Sequence, residues 1–61
     1  GQGEEAMKPT KIHLTSKSGH IKGNWFEWSC TAQMPDGRTV EGYVQADGYG
    51  EMVAEETFEE A

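Results

Sequence analysis

Between Asn24 and Met34 apolar and polar residues alternate with a period of two. The even positions are Phe26, Trp28, Cys30, Ala32 and Met34; the odd ones are Trp25, Glu27, Ser29, Thr31 and Gln33, polar except for the first. Successive side chains of a strand point to opposite faces, so this pattern predicts a β-strand with one buried and one wet face. Arg38–Ala46 repeats it, with Val40, Val44 and Ala46 even and Thr39, Glu41, Tyr43 and Gln45 odd. Only Pro35-Asp36-Gly37 separates the two runs, which makes them a hairpin. A two-residue Asp36-Gly37 loop would set even residues against odd ones and place the core face of one strand beside the wet face of the other. A three-residue loop, with Pro35 and Asp36 in a type I turn and Gly37 left-handed in a bulge, matches even with even. The predicted partners are Ala32 with Val40, Cys30 with Gly42, Trp28 with Val44 and Phe26 with Ala46. Gly42 then leaves room beside the two aromatic rings.

The flanks are less regular. Lys11–Ser16 puts Ile12 and Leu14 on one side and His13 and Thr15 on the other, a short strand, after which Ser18-Gly19 and Gly23-Asn24 punctuate the chain. Downstream, Asp47-Gly48-Tyr49-Gly50 reads as a loop and Glu51–Glu55 as a short last strand offering Met52 and Ala54 to the core. Thr57-Phe58-Glu59-Glu60 has the spacing of a helix capping box, so a short helix in the acidic end from about Glu51, and an α+β fold, is the alternative. The expected class is mainly β: a small antiparallel meander of three to four strands around the central hairpin Asn24–Met34 / Arg38–Ala46, curling with four strands toward a small open barrel. The expected core is Ile12, Leu14, Phe26, Trp28, Cys30, Val40, Val44 and Met52.

With 61 residues the chain holds one small domain. Gly1–Ala6 precedes Met7 and has the look of a cleaved-tag remnant, leaving 7–61 as the domain. Cys30 stands alone and forms no internal disulfide, and no apolar run reaches the ~20 residues of a membrane helix. No apolar leader follows Met7, so the expected setting is the cytoplasm, with no membrane partner.

Charge is distributed unevenly. Met7–Lys22 carries Lys8, Lys11, Lys17 and Lys22 and no acid, whereas Thr39–Ala61 carries Glu41, Asp47, Glu51, Glu55, Glu56, Glu59 and Glu60 and no base. Such a block is either a solvated face, half satisfied by the lysines if the first and last strands adjoin, or a surface for a basic partner. Affinity for phosphate backbones comes from Lys and Arg, so the acidic half disfavours direct nucleic-acid binding. His13, His20 and Cys30 lack the spacing of a zinc site, no glycine pattern matches a phosphate loop, and no nucleophile–base pair is visible. A non-enzymatic protein with no cofactor and no metal is expected. Trp25 and Tyr43 are the large aromatics of the wet face, interleaved with Glu27, Glu41 and Gln45 rather than with Lys and Arg. They form either a cross-strand cover for the hairpin or a pair of protein-interface anchors.

A chain of this size, with the acid-rich stretch Glu41–Glu60, no enzymatic constellation and no secretion signal, resembles at the level of a class the small acidic phage-borne anti-defence inhibitors. That class includes anti-CRISPR and anti-restriction proteins that act as DNA mimics. A monomer rather than a dimer is expected, and the resemblance implies an inhibitor acting in the cytoplasm of a bacterial host. It would bind the basic nucleic-acid-binding surface of a defence complex and block DNA engagement. The expected contact residues are Glu41, Asp47, Glu51, Glu55 and Glu56, with Trp25 and Tyr43 as anchors. Two alternatives remain: a structural or adaptor module docking by its sheet face or edge, and a small β nucleic-acid-binding protein using Lys8–Lys22.

Overall fold

The computed structural model describes residues 8–61; the Gly1–Ala6 leader lies outside them. Four strands, β1 (Lys11–Lys22), β2 (Trp25–Gln33), β3 (Thr39–Asp47) and β4 (Val53–Glu60), form one sheet in the order β1-β2-β3-β4, each antiparallel to its neighbour. The protein is a mainly β meander with no helix among the described residues, and β1 and β4 remain as separate edges, so the sheet does not close into a barrel. The central hairpin has the register that parity requires: Ala32 faces Val40, Cys30 faces Gly42, Trp28 faces Val44 and Phe26 faces Ala46. Its loop is the three-residue one. The Gly37 amide donates to the Met34 carbonyl (2.9 Å), the Met34 amide donates to the Arg38 carbonyl (2.8 Å), and Gly37 has φ +95°, which a side chain would disfavour.

β1 is twice as long as its alternating stretch. It does not end at Ser18-Gly19 but continues to Lys22 through three one-residue bulges. Leu14 faces Cys30, Ser16 faces Ser29, Lys17 faces Trp28, Gly19 faces Glu27, His20 faces Phe26 and Lys22 faces Trp25, which leaves Thr15, Ser18 and Ile21 as the extra residues. Two of these satisfy the partner strand with their own hydroxyls: Thr15 Oγ1 donates to Ser29 O (2.9 Å) and Ser18 Oγ to Glu27 O (3.1 Å). Each bulge reverses which side of β1 faces the core. Lys17, an odd residue, is thereby turned onto the even face, its Nζ 4.5 Å from the centre of the Phe26 ring and 5.8 Å from that of Trp28. The His20 ring then lies 5.0 Å from Phe26.

The expected last strand is present as β4, but it spans Val53–Glu60 instead of Glu51–Glu55. The alternative helix after Glu51 does not form, and Thr57 caps none. Tyr43 pairs with Glu59 and Gln45 with Ala54, so Glu55–Phe58 bulges out opposite the single residue Val44. The Thr57 hydroxyl closes this bulge, donating to Ala54 O (2.7 Å) and accepting the Gln45 amide (2.9 Å) that the irregular strand leaves without a ladder partner. Phe58 lays its ring on Gly42, where an added methyl would stand 2.8 Å from Phe58 Cε1 and would also meet the Glu59 carbonyl. Gly42 thus makes room for β4 and Phe58 rather than for Phe26 and Trp28.

The buried apolar side chains are Cys30, Ala32, Met34, Val44 and Ala46, all on the even face, with Ile12, Leu14, Phe26, Trp28, Val40 and Phe58 half-buried around them. Met52, expected in the core, is 68% exposed because it ends the β3–β4 loop instead of pairing inside a strand. That loop folds back over the even face: Gly50 packs against Leu14 and Trp28, and Gly48 against Phe26. A sheet of one layer has no second sheet to cover it, so the loop and the Lys17 side chain shield the aromatic rings from water.

Candidate functional site: an acidic sheet edge

The strand order decides which charges meet. β1, with Lys11, Lys17 and Lys22, is one edge of the sheet, and β4, with Glu55, Glu56, Glu59 and Glu60, is the other. Among the described residues the one ion pair is Arg38 with Asp36 (2.8 Å), within the central turn. The Arg38 amide, which donates at 3.0 Å, and then its guanidinium hold the Asp36 carboxyl below the usual carboxylate range. No Lys or Arg of the described residues pairs with Glu51, Glu55, Glu56, Glu59 or Glu60, all of which are exposed. The lysines therefore do not satisfy the acidic series.

The candidate carboxylates separate into three environments. Glu55 and Glu56 project on the bulge that Thr57 closes, with Glu51 just before β4 in the connecting loop. Glu59 and Glu60, absent from the expected contact set, continue the same edge; they belong to β4, which runs past the expected end of the last strand at Glu55, an extension masked by the helix-like spacing of Thr57 to Glu60. Glu41 lies elsewhere, on the odd face of β3, in a cross-strand row with Thr31 and His13.

Asp47 has an internal task. Its Oδ1 accepts the amides of Glu51 (2.7 Å) and Met52 (3.1 Å), and these bonds, Met52's first, lower its pKa by stabilising the ionised form. Asp47 therefore anchors the β3–β4 loop.

The two aromatics of the odd face are not brought ring to ring. Trp25 is half-buried and its Nε1 donates to Gln45 Oε1 (2.9 Å), while Tyr43 stands opposite Ser29, 41% exposed. Tyr43 borders a shallow open depression of about 320 Å³ with Thr15, Ser29, Thr31 and Glu41. Cys30 is buried, and this burial pushes its thiol pKa up.

Among the described residues no group of three or more His, Cys, Asp or Glu side chains could hold a metal ion, and no helix is long and apolar enough to cross a membrane. Comparisons with protein-family models, with curated protein sequences and with solved structures give no match for this chain.

Proposed function

We propose that the protein is a non-enzymatic inhibitor whose β4 edge and preceding loop occupy a basic groove built for nucleic-acid phosphates, as on a bacterial defence complex. The observation that carries this reading is a sheet edge and its preceding loop on which Glu55, Glu56, Glu59 and Glu60, with Glu51 in the loop, are all exposed and none pairs with a Lys or Arg of the described residues. Glu55, Glu56, Glu59 and Glu60 put four carboxylates within six residues of β4, which concentrates negative charge along this edge. The opposite sign on β1 is kept three strands away, so it does not cancel this field locally.

Edge-to-edge docking is less favoured by the same structure. β1 carries three bulges and β4 a four-residue one, irregularities that interrupt the row of backbone groups an added strand would need. The same interruptions support a monomer.

The test is capture from a lysate of a bacterium with active defence systems, identification of what is captured, and competition with duplex DNA at low and high salt. Capture of a nucleic-acid-handling protein that DNA and salt both displace is expected. Reversing the charge of the exposed residues in an E51K/E55K/E56K variant should abolish it without altering the circular dichroism spectrum. Capture indifferent to salt, to DNA and to that variant would overturn the reading in favour of docking by the sheet face, and a gel shift of DNA by the protein itself would favour direct binding through Lys8–Lys22.

A further inference from the structure

The β3–β4 loop is held more firmly than its exposure suggests. Asp47 organises it: its carboxylate accepts the Glu51 and Met52 amides (2.7 and 3.1 Å) and its own amide donates to the Met52 carbonyl (3.2 Å). Its carbonyl accepts both the Gly50 amide (3.0 Å) and the Trp28 indole N–H (3.1 Å). Gly50, with φ +73°, presses its backbone against Leu14 and Trp28. Here Tyr49 is 80% and Met52 68% exposed, the two most exposed large apolar side chains of the described residues, with the exposed Glu51 between them.

An isolated exposed apolar residue is ordinary. Two within four residues, on a backbone fixed by five hydrogen bonds and continuous with an unneutralised acidic edge, have the composition of an interface anchor: an aromatic and an adaptable thioether that desolvate a contact around which charges pair. Because the backbone is already hydrogen-bonded in place, little further conformational freedom is lost on binding.

We propose that Tyr49 and Met52 are the apolar anchors by which this loop docks into a cleft on a partner protein, lined by apolar side chains and rimmed by Lys or Arg that Glu51 meets. This rests on the acidic-edge reading and deepens it: the partner's groove must contain an apolar pocket at one end of its basic track. It also moves the anchor role from Trp25, whose indole N–H is engaged by Gln45, and from Tyr43 on the odd face.

The test uses two synthetic peptides of matched length and charge, one alternating Lys with Leu and one alternating Lys with Ser, titrated at low salt with amide chemical shifts as readout. The intact protein is expected to bind the Lys–Leu peptide about tenfold or more tightly than the Lys–Ser peptide, the effect of one good anchor, with the largest shifts at Tyr49, Glu51 and Met52. The Y49A/M52A variant should bind both peptides equally, at the Lys–Ser affinity, since both side chains point into solvent and their truncation leaves the fold intact. An E55Q/E56Q variant should weaken both peptides alike while keeping the preference. Equal affinity in the intact protein, or a preference that survives Y49A/M52A, would overturn the anchor assignment alone. Failure of both peptides to bind, or indifference to E55Q/E56Q, would overturn the acidic-edge reading beneath it. Self-association, or attachment to phosphatidylcholine vesicles, that is abolished by Y49A/M52A would assign the loop to a second copy or to lipid and likewise overturn the proposal.

Discussion

Replacing Gly50 by alanine should be among the most damaging single-methyl additions in this protein. Two effects combine at this position. The residue has φ +73°, where an L side chain costs about 1–2 kcal/mol. The added methyl would also stand 2.9 Å from Leu14 Cδ1 and 3.3 Å from Trp28 Cη2, an overpacking that costs about 1–3 kcal/mol more. The expected loss is therefore about 2–5 kcal/mol. A domain of this size holds only roughly 3–5 kcal/mol in total, so G50A should lower Tm by about 10 °C or more and leave a measurable unfolded fraction at room temperature. Thermal unfolding followed by tryptophan fluorescence reads this directly, because Trp28 lies under the loop. Gly48 supplies the control: its φ is not positive, the atom a methyl would meet first is the end of the Asn24 side chain, which can swing away, and the Phe26 ring edge comes next at 3.2 Å. G48A should cost clearly less. Removing the Leu14 side chain should lessen the penalty of G50A, since part of it is contact with that side chain. If G50A and G48A have the same Tm, or if the G50A penalty is unchanged in the L14A background, the account of how this loop is seated is wrong.

Thr57 and Asp47 support further expectations. T57V keeps the shape but leaves the Gln45 amide and the Ala54 carbonyl without the hydroxyl; a destabilisation of about 1–3 kcal/mol is expected, with faster hydrogen exchange at Gln45 and no helix gained in the circular dichroism spectrum. Unchanged exchange at Gln45 would show that the hydroxyl does not close the bulge. Asp47 has a lowered pKa in the folded protein, so its contribution is complete above the ordinary carboxylate pKa of ~3.9 and is lost as pH falls through the lower folded value. Amide exchange at Glu51 and Met52 should accelerate over that acidic window, and the D47N variant should abolish this pH dependence; an unaltered acid profile in D47N would place the titrating group elsewhere.

The central hairpin was legible because both of its determinants are local. A period of two sets the faces, and the number of residues between matching parities sets the loop, so the register follows pair by pair without knowledge of the rest of the fold. The failures share one cause. In Thr15–Lys22 the polar side chains of the bulged residues bond to carbonyls of β2, and no periodicity within β1 reports where those carbonyls lie. At Thr57 the same residue type suits a helix cap or a strand bulge; the choice falls to the free Gln45 amide, twelve residues away in the chain.

The acidic surface divides in the same way. That the chain has opposite charges in its two halves is a property of the sequence, because charge follows from residue identity. That the lysines leave the glutamates unpaired is a property of the strand order, which puts β1 and β4 at opposite edges. Met52 passed for a core residue because its own hydrophobicity is all the sequence records; its place in a loop, with its backbone bonded to a carboxylate five residues before it, leaves its side chain exposed. Periodicity and charge depend on neighbours in the chain, and these the sequence determines. Which surface is left unneutralised, and which apolar side chains the core excludes, depend on neighbours in space, and only the folded sheet decides them.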